Sequence, residues 1–361
     1  MWLAVAGRRG WYGLVMRTHP AHATGAPTPS PSTLPQVADA FRLGPLVSAD
    51  EVTEGLMNRN WRVTTTLGEW AIKQVLDVDA AAARRQHRAT AALARLGLPV
   101  PVPVIADDDS VVIVDGAVYA VLPWANGVHR HGLTLTMDEA AALGELLARL
   151  HTALAEIMPP APHHLVVPVT DVATAHSKID RYLNLITQQP DRDDFDRYAE
   201  TQLHHRRRLL EQTADLRPTA GTPVEPCGYT HGDFQHLNLL WNRGSVSAVL
   251  DWDRLGVRPL GLEIARSATL LFGHGDERGL DLDRIAAFST GYRQRRPVAD
   301  TDLADAVHRL WWERVSNDLW QLRLHYDRAD RSCDHLFTSA SALLAWWTAH
   351  RDAVTAAFTG S

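Results

Sequence analysis

The stretch His231-Gly232-Asp233-Phe234-Gln235-His236-Leu237-Asn238, followed by Val249-Leu250-Asp251-Trp252-Asp253, decides how this chain is read. It sets one carboxylate in a loop beside a glycine, a carboxamide five residues on, and a second carboxylate after an apolar run. Asp233 can take a hydroxyl proton, Asn238 can turn its carbonyl toward a magnesium ion, and Asp251 can supply a charged oxygen ligand. Phosphoryl transfer needs such a set, because it is mostly positioning plus neutralisation of charge. Each residue alone has a plainer reading. An Asp beside Gly usually serves a turn or a cap, an Asn after a short helical turn caps it, and an Asp after a strand ends it. At these spacings the three plain readings are hard to sustain together.

Upstream, Lys73 lies in Ala71-Ile72-Lys73-Gln74-Val75, an apolar strand in which an inward-facing ammonium requires an anionic partner. An isolated strand lysine more often snorkels to solvent. With Asp233, Asn238 and Asp251 downstream, Lys73 reads instead as the fourth member of one site.

Length and composition bound the rest. The 361 residues suffice for two lobes, and 45% hydrophobic with 22% charged residues is ordinary for a globular protein. The net charge of −6 argues against general nucleic-acid binding, and the basic runs 206–208 and 293–296 are too short to reverse that. No apolar run reaches the ~18–20 residues of a membrane span, so no membrane partner is expected. Cys227 and Cys333 form no C-x-x-C pair, which favours a reduced, cytoplasmic chain. The first sixteen residues resemble a signal peptide superficially, but Arg8 and Arg9 interrupt the apolar run. Met16 is an alternative start.

The organisation follows from pattern. Residues 1–35, rich in Pro, Ala, Ser and Thr, are expected to be a disordered leader, with order beginning near Gln36. Strands are expected over Trp61–Leu67 and Glu69–Val75, and a helix over Asp79–Leu96 that Gly97 and Pro99 end. A hairpin turns at Asp115-Gly116. Residues 36–126 thus form a small nucleotide-binding lobe. Residues 127–361 form a larger, helical catalytic and substrate-binding lobe, with an amphipathic helix over Met137–Leu154. Helices are expected near 171–188 and 193–215, and about four more from Gly261 to Phe358. Leu310 to Trp320 is read as part of one long helix. The fold class is α+β.

Together these residues resemble the aminoglycoside phosphotransferase/choline kinase family of small-molecule kinases, which have a two-lobed protein-kinase-like fold. The resemblance covers most of residues 44–270. It takes in Gly55, Asn58 and Asn60, Lys73, Gly97-Leu98-Pro99-Val100-Pro101, Leu147-Ala148-Arg149-Leu150-His151, His231–Asn238 and Leu250–Asp253. It implies ATP and Mg²⁺ as cofactors, with Asp233 orienting or deprotonating a hydroxyl of a small-molecule acceptor. Asn238 and Asp251 would bind the metal and Lys73 the α/β-phosphates. Asn60 would lie near the nucleotide, and Leu122 with Trp124 would mark the hinge where adenine docks. His231 would hold the catalytic loop and Glu263 would brace it.

Three departures stand out. The glutamate expected on the first helix as partner of Lys73 falls at Gln86 or His87, so Gln86, or Asp77 or Asp79, is expected to replace it. The aspartate expected after the metal loop is Glu263 instead. There is no GxGxxG, which counts against a protein kinase, as does the closeness of Pro259 to Asp251. A catalytically inactive nucleotide-binding pseudokinase is the rival reading. On the acceptor side, Asp253, Trp312, Glu313, Asp318 and Asp334 are candidate contacts, and Asp253 reads equally as a support behind the metal ligands. The tryptophans around Leu310–Trp320 and Ala345–Trp347 are read as core or as an aromatic wall.

Overall fold

The computed structural model of the chain describes residues 29–52 and 58–360. Gly55 and the leader through residue 28 lie outside the described residues. The first described helix, α1 (Thr33–Ala40), begins just ahead of Gln36.

Five antiparallel strands follow: β1 (Leu46–Val52), β2 (Arg59–Thr65), β3 (Gly68–Val75), β4 (Val112–Val114) and β5 (Ala117–Pro123), in the order β1-β2-β3-β5-β4. Asp115 and Gly116 both have positive φ, 52° and 76°, as a tight hairpin turn requires. Successive side chains of a strand face opposite sides of the sheet, and both sides are used. Ile72 and its partner Val121 pack with Val37 and Phe41 of the α1 segment. Lys73 pairs with Ala120, which packs on the other face against Ala83 of α2 (Ala80–Arg95). Lys73 is thereby aimed at the α2 side. The Asp79 side chain caps α2 by accepting from the Ala82 amide at 2.7 Å, worth about 1 kcal/mol.

The large lobe is built on α3 (Met137–Ile157), which starts in a reciprocal capping box between Thr136 and Glu139. Its Leu143, Leu147, Leu150 and Leu154 are buried. The chain continues through a short strand β6 (Leu165–Val166), α4 (Val172–Thr187) and α5 (Asp194–Gln212). Next come β7 (Pro223–Val224), β8 (Cys227–Thr230), the hairpin β9 (Leu239–Asn242) with β10 (Ser245–Val249), and β11 (Gly256–Pro259). Six helices complete the lobe: α6 (Leu260–Leu271), α7 (Leu282–Arg295), α8 (Asp300–Ser316), α9 (Trp320–Arg328), α10 (Asp334–Ala349) and α11 (Arg351–Thr359). Helices α3 and α7 approach closely at two glycines. A Cβ on Gly144 would lie 1.9 Å from the Phe288 carbonyl oxygen, and one on Gly291 2.0 Å from that of Ala141.

Two expectations are corrected. Six helices, not about four, fill the C-terminal region, and Leu310 to Trp320 is not one helix. Helix α8 stops at Ser316, and α9 starts at Trp320. Burial on every side of this stretch erases the amphipathic stripe by which a boundary would be seen. No helix among the described residues is long and apolar enough to cross a membrane.

Candidate active site

The loop His231–Asn238 is suspended between β8 and β9. The pair β8/β11 brings Thr230 opposite Gly256, so the loop lies against the turn that carries Asp251 and Asp253. The Leu250 amide donates to the Asn238 carbonyl at 2.8 Å, which ties the ends of the two segments together. Gly232 has φ 85°, and a Cβ there would meet the Arg254 carbonyl oxygen at 2.6 Å. No other residue allows so close a backbone approach.

Buried Glu263, in the first turn of α6, accepts from the amides of His231 (3.1 Å) and Gly232 and from His151 Nε2 at 2.7 Å. Burial alone would raise its carboxyl pKa. The hydrogen bond and charge of His151 outweigh it and hold the group below the ordinary range. His231 Nε2 meets the Leu250 carbonyl at 2.8 Å, and its Nδ1 accepts from the Asp233 amide at 3.1 Å. Both ring nitrogens are therefore committed to the backbone.

Asp233 is engaged on both oxygens. Oδ1 faces Arg266 Nη2 of α6 at 2.9 Å. Oδ2 accepts from Asn238 Nδ2 at 3.0 Å and Gln235 Nε2 at 3.1 Å. Burial opposes its charge, but Arg266 and then Arg254 prevail and hold its pKa low. It is poised as a carboxylate.

Lys73 reaches the same place from the sheet. Its Nζ lies 2.7 Å from Asp253 Oδ2 and 3.2 Å from Asp251 Oδ1. Burial opposes the ammonium charge, and the two aspartates more than restore it, raising its pKa. Asn58 Nδ2 also donates to Asp253 Oδ2, at 2.6 Å, while Asn58 Oδ1 accepts from the Leu76 amide at 2.8 Å.

The profile of the phosphotransferase enzyme family matches residues 48–298, which include every one of these groups. The chain belongs to that family. A relative from Deinococcus radiodurans, an uncharacterized protein, is 26% identical over 226 residues; the match spans 60% of this chain and 60% of that protein. Solved structures share the fold at lower identity. An aminoglycoside phosphotransferase from Alicyclobacillus acidocaldarius is 13% identical, with TM-score 0.56 over 93% of this chain and 96% of its own. Spectinomycin phosphotransferase in complex with ADP and spectinomycin is 15% identical, with TM-score 0.59 over 86% and 93%. A microcompartment-associated aminopropanol kinase is 18% identical, with TM-score 0.58 over 89% and 99%.

Within this phosphotransferase-family chain, several expected residues stand elsewhere than the sequence suggested. Gln86 does not pair with Lys73; its Nε2 donates to the backbone carbonyl of Asp253 at 2.8 Å. Asp79 is occupied as the cap of α2. Burial, the largest influence on Asp77, pushes its carboxyl up, and the ion pairs of Lys73 are made by Asp251 and Asp253 instead. Asp253, with a side chain 12% exposed, gives one carboxylate oxygen, Oδ2, to both Lys73 and Asn58.

Of the two readings of the tryptophan-rich helices, core holds at Trp311, Trp312 and Trp347. Trp312 is 1% exposed and donates from Nε1 to the Thr170 carbonyl at 3.0 Å. Glu313 accepts from Asn317 within the turn after α8. Asp318 lies 3.4 Å from Arg314, and its carbonyl accepts from Arg206 at 3.0 Å. Asp334 pairs with His325 at 2.8 Å. These polar groups serve the interior of the lobe, where a buried charge must be partnered.

On the nucleotide side, Asn60 pairs with Lys73 in register and so shares its face of the sheet. Leu122 lies on β5 opposite Ala71. The Trp124 amide donates to the Glu69 carbonyl at 3.0 Å and its ring lies under Arg62. That amide is thereby already engaged, and the backbone of Leu122 is likewise paired with Ala71 in the sheet. Arg266, Gln235 and the Asn58–Asp253 bond were not foreseen. The signal for Arg266 was its spacing: three residues after Glu263, it lies on the same face of α6.

The residues fit a magnesium ion. Both bonds of the Asn238 amide nitrogen go to Asp233, its carbonyl and Oδ2, which leaves the side-chain carbonyl as the donor for a cation. Asp251, 38% exposed, adds a carboxylate. Two hard oxygen donors suit Mg²⁺, which keeps waters and takes substrate phosphates for the rest of its shell. Among the described residues no group of three or more His, Cys, Asp or Glu is arranged to hold a metal alone.

Proposed function

We propose that this chain is an ATP-dependent phosphotransferase acting on a hydroxyl of a small molecule, with Mg²⁺. The observation that carries this reading is convergence: Lys73 from the sheet meets Asp251 at 3.2 Å, beside a loop in which Asn238 holds Asp233. Asp233 orients the acceptor hydroxyl and accepts its proton as the oxygen attacks the γ-phosphorus, and the bond from that phosphorus to the β–γ bridging oxygen breaks so that ADP leaves. Lys73 engages the α/β-phosphates, and Asn238 and Asp251 hold the metal. Bound there, Mg²⁺ would supply charge neutralisation at the transferred phosphoryl group. His231 and Glu263 fix the loop so that Asp233 needs no rearrangement at the moment of transfer. Such prearranged electrostatics commonly contribute several kcal/mol.

The acceptor class lies among aminoglycoside-like antibiotics, amino alcohols, homoserine-like metabolites and sugars. The named activities of the structural relatives, on spectinomycin and as an aminopropanol kinase, support the antibiotic and amino alcohol members of that range. The setting is cytoplasmic. A panel of such acceptors with coupled ADP detection tests the reading, with Asp233→Asn as control. Transfer lost in the variant while ADP still binds supports it; transfer at the wild-type rate in Asp233→Asn overturns it.

A further inference from the structure

Residue 253 is where the small lobe takes hold of the metal loop. Three separate elements of the small lobe reach it. Lys73 of β3 and Asn58, next to β2, bind its carboxylate at 2.7 and 2.6 Å, and Gln86 of α2 binds its carbonyl at 2.8 Å. Asp251 is the lysine's more distant partner, and its side chain is 38% exposed where that of Asp253 is 12% exposed. The two carboxylates therefore divide the work. Asp251 keeps a face toward the cleft, while Asp253 is sunk beneath it against the ammonium.

The same geometry explains why residue 86 is an amide. Its nitrogen donates to a carbonyl, which a carboxylate cannot do. A glutamate at this position would set an acceptor against the Asp253 carbonyl and a second negative charge beside its carboxylate. The negative charge that pairs with the lysine comes from the loop, and the helix residue is a donor that matches the loop's carbonyl.

We propose that Asp253 is the positioning residue that anchors Lys73 for the nucleotide phosphates, with Gln86 fixing the backbone that carries it. The orientation of the phosphate-binding lysine is then set by the metal loop, and the lysine and the loop move as one unit. This rests on the nucleotide-site reading above.

The test is calorimetric titration with ADP, with and without Mg²⁺, of wild type, Asp253→Asn, Gln86→Glu and the double variant. Metal-free ADP isolates the lysine from metal coordination. Each single change is expected to weaken metal-free binding, Asp253→Asn by about ten-fold or more, because it leaves a buried ammonium poorly paired. The double variant, with its carboxylate returned to the helix, is expected to recover most of that loss. Unchanged metal-free binding in Asp253→Asn overturns the proposal. So does a loss confined to the Mg²⁺-dependent part, or a double variant no better than Asp253→Asn. If wild type binds no ADP under either condition, the nucleotide-site reading itself fails. Thermal melting of the nucleotide-free protein then judges the anchor by a cycle of Lys73→Met and Asp253→Asn. Strong non-additivity supports it, and additive losses overturn it.

Discussion

Arg266 Nη2 sits 2.9 Å from Asp233 Oδ1, with both side chains largely out of solvent. This places a fixed positive charge of α6 against the carboxylate proposed to orient the acceptor. The pair keeps Asp233 ionised against burial and fixes the plane of its carboxyl group. Arg266→Gln is expected to keep the fold and lower kcat about 10- to 100-fold, equivalent to roughly 1.4–2.7 kcal/mol of barrier. Steady-state kinetics on an accepted substrate checks it, and an unchanged kcat removes Arg266 from the machinery.

Glu263 is expected to matter first to the loop and only through it to chemistry. Its carboxylate is the acceptor for the amides of both His231 and Gly232. Glu263→Ala strands those donors in the interior, at about 1–3 kcal/mol for each group left unsatisfied. Denaturant unfolding should register a loss of that order, accompanied by a fall in turnover. Glu263→Asp, one methylene shorter, is expected to lose less.

The α3–α7 contact admits no methyl group. Gly144→Ala and Gly291→Ala each drive a Cβ into a backbone oxygen, at 1.9 and 2.0 Å in the present geometry. Backbone cannot swing aside as a side chain can, so each change is expected to cost about 3 kcal/mol or more, the upper end of overpacking. The measurement is the melting temperature. Wild-type stability in either variant would mean that the two helices slide apart without cost.

The candidate loop was legible in the sequence because its polar residues are close together: Asp233, Asn238 and Asp251 fall within nineteen residues, each polar in an apolar setting. What escaped is non-local. Asn58 and Asp253 are 195 positions apart, and only the closure of the sheet on the metal loop brings them to 2.6 Å. Strand β1 escaped for a different reason. As an edge strand, exposed at its five central residues, it shows no apolar alternation. Of the tryptophan-rich helices, core was legible from the helical spacing of the rings, but the place of their carboxylates was not. Glu313 and Asp318 look like surface ligands for an amine, yet they are buried beside Asn317 and Arg314. Sequence lists charge but not its depth. The lobes, the order of the small sheet's helix and strands, and the loop that holds Asp233 follow from short-range pattern; the charge network around Asp253 does not.

His87 gives the fold a dependence on acid that can be measured without any substrate. Its Nδ1 lies 2.9 Å from Ser110 Oγ. Burial and the nearby Lys73 ammonium depress its pKa from 6.5 to about 4. A histidine depressed in the folded state binds its proton more readily when unfolded. Its contribution is fully present above pH 6.5 and is lost as the pH falls from there toward about 4. The gap corresponds to roughly 3 kcal/mol at most. Urea unfolding between pH 7.5 and 4.5 should therefore show a declining midpoint in wild type. In His87→Gln, which keeps a polar group beside Ser110 but cannot titrate, the decline is expected to be shallower. Equal slopes in the two proteins would show that other groups govern the acid sensitivity.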